Sequence, residues 1–251
     1  MKTCIVITLC RRPDYTRQVL AALSRCDDID RYPVYMLIEP VSQAVIDAAA
    51  DFTKLPHVRA QGLVGQRRIG CNENTYAALA TGFDAHDAVI ALEDDTVPGR
   101  DFLRYCSWGL KEYRRDESVL SICGYQMTPP EDTGYRSAAI REQWFTPWGW
   151  ATWRDRWDTL RDSWPNGTPG NPSWDTVVDK LTRRDRCEIR PMLARIQNIG
   201  AVDGEHVPNA AWHKAHHLNP RWIETVPGPR VDEWCEVPSG TTQALRSAAP
   251  C

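Results

Sequence analysis

Several things are missing from this sequence, and each absence closes off a class. No apolar run reaches the roughly 18 residues of a membrane-spanning helix, so no membrane span is expected. The nine cysteines (4, 10, 26, 71, 106, 123, 187, 235 and 251) contain no C-x-x-C pair, and their odd number and spacing suit neither a zinc site nor a disulfide framework. Several lie in apolar runs, where a free thiol behaves as a small hydrophobe; a reduced, cytoplasmic protein is the simpler expectation. Positive charge is not in excess. The net charge is −3, so bulk electrostatics would not hold nucleic acid, and only a local basic groove could. The opening MKTCIVITLCRRPDY has too short an apolar stretch for a signal peptide and reads as a first strand. No internal repeat is present.

What is present is enough for one large α/β domain: 251 residues, 42% hydrophobic and 25% charged. The first half alternates strand and helix signals. Strands are expected at 3–9, 33–38, 58–63, 88–92 and 118–123, and helices at 14–23, 42–52, 72–83 (capped by Asn72 or Asn74) and 101–113. That alternation predicts βαβ units and a mostly parallel, Rossmann-like sheet, whose ligands gather beyond the carboxyl ends of the strands. Arg11, Arg12, Glu39 and the acidic triplet Glu93-Asp94-Asp95 all fall at such ends.

The second half differs in chemistry, since 10 of the 11 tryptophans lie from Trp144 onward. Residues 127–141 read as a loop. Trp150, Trp153, Trp157, Leu160 and Trp164 fit one helical stripe, more suited to core than to a sugar platform. Trp148, just before Gly149 in a Pro/Gly turn, is the better candidate to meet a ligand, because a flat aromatic face suits a sugar ring or an unstacked base. Ser173 opens a helix over 174–181. The arginines of RRDRCEIR (183–190) alternate with acids and read as a solvated helix face. Residues 238–251 read as a mobile tail.

Three acids ending an apolar strand, AVIALEDD, suit a hard divalent cation that bridges a carboxylate and a diphosphate; the competing reading is a helix cap near Pro98 with the remainder solvated. Other motifs then follow in order: TLCRRP, VYMLIEP, NENTYAALATGF, DFLRYCSWGLKEYRRDESVLSICGYQ, FTPWGWATWRDRW, PSWDTVVDKL and EIRPMLARIQNIG. Over residues 3–206 this series resembles the GT-A-fold glycosyltransferases, in particular the N-acetylglucosaminyltransferase I-like group and its short bacterial and viral relatives.

The resemblance implies roles. Asp95 would be the direct ligand of Mn²⁺ or Mg²⁺, with Glu93 and Asp94 holding the ribose and the metal's water shell. Arg12 would contact the nucleotide. Glu39 stands where the family has a base-reading aspartate, and Asn74 where it has a histidine; both are departures. Asp175 would be the catalytic base, beside Trp174 on the acceptor side. His206 would be a late metal or phosphate contact, with His213, His216 and His217 as competitors. The implied activity is a metal-dependent, inverting transfer from a UDP-sugar to an acceptor hydroxyl. One carboxylate to take the hydroxyl proton and one metal to stabilise the leaving diphosphate are the minimum such a reaction needs. The acceptor would be a glycan or lipid-linked precursor, or else a hydroxymethylated base in phage-type DNA. Residues 1–237 would form one domain, with 1–128 holding the donor and 129–237 framing the acceptor. Two other classes compete. One is an inactive sugar- or nucleotide-binding module. The other is a nucleotidyltransferase, which would need a glycine-rich phosphate loop that TLCRRPDYT lacks.

Overall fold

The computed structural model describes residues 1–126, 135–166, 171–203 and 207–238. Strands β1 (Thr3–Leu9), β2 (Pro33–Ile38), β3 (Arg59–Val64) and β4 (Ala88–Glu93) alternate with helices α1 (Pro13–Leu23), α2 (Gln43–Thr53) and α3 (Cys71–Ala85). β5 (Thr96–Pro98), α4 (Phe102–Glu112) and β6 (Val119–Cys123) complete the first half. β7 (Ala138–Glu142), β8 (Trp150–Trp153), α5 (Arg154–Leu160), α6 (Trp174–Asp185), β9 (Cys187–Pro191), β10 (Ile196–Asn198), α7 (Ala210–His216) and β11 (Cys235–Glu236) make the second.

Nine strands form one sheet in the order β11-β7-β9-β6-β8-β4-β1-β2-β3, and β10 pairs with β5 in a two-stranded ribbon. Pairs β1–β2, β2–β3, β1–β4, β6–β9 and β11–β7 are parallel, while β8 runs antiparallel between β4 and β6 and β7 runs antiparallel to β9. The mostly parallel, helix-flanked sheet is therefore as expected. β1, β4 and β6 are nearly continuous apolar runs because both faces of the sheet are covered there. Along β1, Ile5, Ile7 and Leu9 face α1, α2 and α4, while Cys4 and Val6 face Leu79 and Phe83 of α3, the period-2 division of a pleated strand.

The tryptophan stripe is corrected. Trp150–Trp153 is a strand, and helix begins only at Arg154. Alternation decides it: Ala151 and Trp153 pack on one face of the sheet and Trp150 on the other. A helix would set Trp150 and Trp153 on one side, leaving the gap between β4 and β6 unfilled. A buried tryptophan removes roughly 150–250 Å² from water, of order 4–6 kcal/mol. Filling both faces thus outweighs a four-residue helical pattern.

The solvated helix face expected over 183–190 holds only for its start: Arg183 and Arg184 are exposed on the last turn of α6, which ends at Asp185, and from Cys187 the chain is instead the inner strand β9. Cys187 and Ile189 join the main core, while Glu188 and Arg190 point the other way as an ion pair at 3.0 Å, their side chains 0% and 1% exposed. Part of the 127–141 loop is strand β7; residues 127–134 lie outside the described residues, as do His206 and the tail from 239. Among the described residues seven cysteines are free thiols. Among the described residues no helix is long and apolar enough to cross a membrane.

Candidate active site

Because β1 pairs in parallel with both β2 and β4, the loops leaving their carboxyl ends emerge side by side. They open into a cleft of about 790 Å³ lined by Arg12, Glu39, Asn74, Glu93, Asp94 and Asp95 on one side. Trp148, Trp174 and Asp175 line it from the other.

The acidic triplet is not a helix cap, and two of its three acids are withdrawn from solvent. α4 starts at Phe102 with Asp101 before it, while Asp94 and Asp95 turn inward and are 5% and 8% exposed. Thr96 closes the turn: its hydroxyl accepts from Glu93 N–H (2.9 Å) and donates to Glu93 C=O (3.0 Å). Arg12 supplies the positive charge. Its Nη2 donates to Asp94 Oδ1 and lies 2.8 Å from Asp95 Oδ2, and its guanidinium lies over the Tyr15 ring at 5.4 Å. Pro13 starts α1 immediately after Arg12, its fixed φ suited to a first helical position, so the arginine is held at the strand-to-helix turn.

Like charges in a dry place shift proton affinity. Burial pushes Asp95 up to about 6 against the pull of Arg12. Burial, followed by the charges of Asp95, Asp94 and Asp175, holds Glu93 well above the usual carboxylate range. Asp175 therefore stands close enough across the cleft for its charge to weigh on Glu93.

β10 pairs with β5 and brings residues 198–200 against the triplet. Ile199 N–H donates to Asp95 C=O at 2.8 Å. A side chain at Gly200 would collide with Asp95 Oδ2, so only glycine admits this approach. Asn198 Oδ1 accepts from Gly200 N–H (3.0 Å) and meets His213 Nε2 (2.8 Å). No local signal at 198–213 announces this buttress, because it exists only once β10 is paired.

Two nucleotide-side expectations take a different form. Both Glu39 oxygens accept from backbone: Oε1 from Gly70 N–H at 2.8 Å, and both from Ile69 N–H at 3.1–3.2 Å. Glu39 thus shapes the loop before α3. Asn74 lies within α3 and donates to Leu37 C=O at 3.4 Å, tying the helix to the end of β2. Neither Asn72 nor Asn74 caps α3; Gly70 does, at φ 87°. Asn72 instead joins the two sides of the cleft. Its Oδ1 accepts from Trp174 N–H (3.0 Å), its Nδ2 donates to Pro172 C=O (3.2 Å), and its own C=O accepts from Trp164 Nε1 (2.9 Å).

Trp174 is 3% exposed and stacks on Trp164 (5.3 Å, 9°) and Trp150 (5.9 Å, 24°). That stack holds the first turn of α6, and Asp175 follows it half-buried on the cleft wall. The turn carrying Trp148 is fixed from below by the buried ion pair. Glu188 accepts from Thr146 N–H (3.0 Å) and Ser121 Oγ (2.7 Å), and Arg190 donates to Trp144 C=O (3.2 Å). Gly149 ends the turn at φ 66°, against Ile196.

Among the described residues no group of three or more His, Cys, Asp or Glu side chains forms a ready-made cation cage. The donor chemistry fits a cation of another kind, one held by a single carboxylate with substrate phosphates and water. Asp95 Oδ1 is buried without a hydrogen-bond partner beside the cleft, the oxygen such an ion would take. His213 and His216 are engaged with Asn198 and with Trp212 C=O, respectively.

No family model and no curated protein matches this sequence. Solved structures do share its fold. The mannosyltransferase PcManGT from Pyrobaculum calidifontis, in complex with GDP-Man and Mn²⁺, aligns with a TM-score of 0.56 at 14% identity, over 76% of this chain and 54% of that one. S. aureus TarS 1–349 in complex with UDP-GlcNAc aligns at 0.52 and 11% identity, over 76% of this chain and 58% of that one. A putative glucose-1-phosphate thymidylyltransferase from Bacillus anthracis, in complex with a sucrose, gives 0.51 at 10% identity, over 79% and 90%. The chain thus spans somewhat more than half the length of the first two. At such identities the likeness is one of fold.

Proposed function

We propose that this chain is an inverting glycosyltransferase that moves a sugar from a UDP-sugar to an acceptor hydroxyl. The supporting observation is that two separate carboxylate groups meet in one cleft: the Glu93–Asp95 turn beside Arg12, and Asp175 facing it from α6. In this reading residues 1–128 hold the nucleotide-sugar and 129–237 frame the acceptor, within one domain. The ordered motifs support the N-acetylglucosaminyltransferase I-like group as its subgroup. The absence of glycine after β1 argues against nucleotidyl transfer, although a thymidylyltransferase shares the fold.

Transfer is one in-line displacement. The acceptor oxygen bonds to the anomeric carbon as the bond to the diphosphate breaks, its electron pair leaves with UDP, and the hydroxyl proton passes to the Asp175 carboxylate. Arg12, held by Asp94 and Asp95, keeps a fixed positive charge on the donor side. Glu39 and Asn74 shape the nucleotide pocket by fixing the 65–70 loop and the start of α3; Glu93 and Asp94 contribute to binding the ribose. Asp95 would hold Mn²⁺ or Mg²⁺, with His206 as a further candidate, and the ion would supply charge stabilisation to the departing diphosphate. Trp148 contacts the acceptor, a glycan or lipid-linked precursor.

The test is a donor panel (UDP-Glc, UDP-GlcNAc, UDP-Gal, GDP-Man) read by released nucleotide with and without Mn²⁺. Turnover with a UDP-sugar, stimulated by Mn²⁺ and lost in folded Asp95→Ala and Asp175→Asn proteins, is expected. Full activity in either variant sinks the residue assignment, and metal-independent turnover sinks the role of Asp95.

A further inference from the structure

The far wall of the cleft is aromatic, and α7 completes it. Trp212 of α7 and His217 just beyond it line the cleft together with Trp148. The three rings adjoin one another. Trp148 and His217 centroids are 4.5 Å apart at 63°, and His217 and Trp212 are 4.7 Å apart at 82°. Each ring is supported from behind. Tyr125 meets Trp148 at 4.7 Å and 90° and donates its hydroxyl to His217 C=O at 2.7 Å. His216 stacks on Trp212 at 4.5 Å and 19°, and the Asn209 side chain accepts from Trp212 N–H at 2.9 Å. Trp148 and Trp212 are nevertheless only half-buried. Preorganised aromatic rings that line a cleft are costly to leave wet, and they suit a flat ligand face.

Charge on the cleft wall is divided. Among the described lining residues, the arginines (Arg11, Arg12 and Arg68) all precede α3, whereas the lining from Thr146 onward has no lysine or arginine and carries Asp175 and Asp203. Burial, followed by the neighbouring His213 and His216, pushes His217 down to about 4, so it adds no positive charge near neutrality. A duplex phosphate backbone requires cations there. An uncharged polyhydroxyl ring requires aromatic faces and a few hydrogen-bonding groups, and both are present.

We propose that Trp148, Trp212 and His217 form a saccharide subsite that takes an uncharged sugar ring. Naming that sugar as the acceptor rests on the glycosyltransferase reading; the binding itself does not. The test is ligand-observed saturation-transfer NMR with methyl glucoside, methyl N-acetylglucosaminide, lactose, maltose and chitobiose, and with a short DNA duplex. Each is titrated onto the full chain and onto its Trp212→Ala and Trp212→Phe variants, with UDP affinity measured by calorimetry on the same samples. Binding of at least one saccharide is expected, weakened roughly fivefold to tenfold by Trp212→Ala and restored to within about twofold by Trp212→Phe. UDP affinity should stay unchanged in both. The subsite is overturned if no saccharide binds, if Trp212→Ala binds as well as the parent, or if the duplex binds more tightly than every saccharide. UDP failing to bind while the saccharide results hold overturns the transfer reading and leaves the subsite standing.

Discussion

The two sides of the cleft are built in different ways. On the side lined by Arg12, Glu39 and the acidic triplet, β1, β2, β3 and β4 are joined by short βα units, and their charged residues leave neighbouring strand ends. On the side lined by Trp148, Trp174 and Asp175, β7, β8 and β9 interleave with β6, so residues far apart in the chain become neighbours: Ser121 with Glu188, Asn72 with Trp174, Asn198 with His213. The first side places charge by topology. The second places rings and one carboxylate by buried polar contacts that span the sheet.

If the halves divide the labour in this way, Asp175→Asn should separate them most sharply. Turnover should fall by roughly 10²–10⁴-fold, as for loss of a general base, while UDP affinity measured by calorimetry stays at the parent value. A parallel loss of UDP affinity would erase the division.

Next in size is Glu188→Ala, which leaves Arg190 buried without its carboxylate and frees Thr146 N–H. A loss of about 3–5 kcal/mol in denaturant unfolding is expected. Glu188→Gln should lose less, and in that variant the acceptor KM should rise more than the donor KM, because the affected turn carries Trp148.

Asn72→Ala probes the join itself. Removing the Oδ1 that receives Trp174 N–H should cost about 1–3 kcal/mol and lower kcat more than it changes UDP affinity, since α6 carries Asp175. An unchanged kcat would mean that the tryptophan stack alone positions α6.

The smallest effect concerns pH. Burial pushes Glu188 up to about 7, against the pull of Arg190, so the folded state holds a proton that the unfolded chain releases near the ordinary value of 4.5. The unfolded state then binds fewer protons between those values, and stability falls as pH rises through that window. The melting temperature of the parent minus that of Glu188→Gln should therefore decrease from pH 5 to pH 7. A rising difference would mean that pairing with Arg190 outweighs burial.

Legibility follows the same division. β1, β2, β4 and β6 could be read because each is a continuous apolar run bounded by charge or turn residues, and the carboxyl-end rule then brought Arg12, Glu39 and the triplet together. Trp150–Trp153 could not, because four residues satisfy both a helical spacing and an alternation, and only the vacancy between β4 and β6 chooses. Nor could 187–191, where alternating charge reads as surface until a sheet closes over it. Nothing in the sequence singles out Trp212, and His217 stands there only as one of three competitors of His206, because the way residues 198–217 fold against the cleft depends on the pairing of β10 with β5.

The sequence by itself determined the strand-helix alternation, the acids at the mouth of β4 and the crowding of tryptophan into the second half, because these depend on local polarity and period. Tertiary structure alone decided that Arg12 is the partner of Asp94 and Asp95, that Glu39 commits both oxygens to backbone, and that Asp175 lines the same cleft as Glu93. Those facts depend on which strand ends become neighbours, and burial then sets the charge each group can carry.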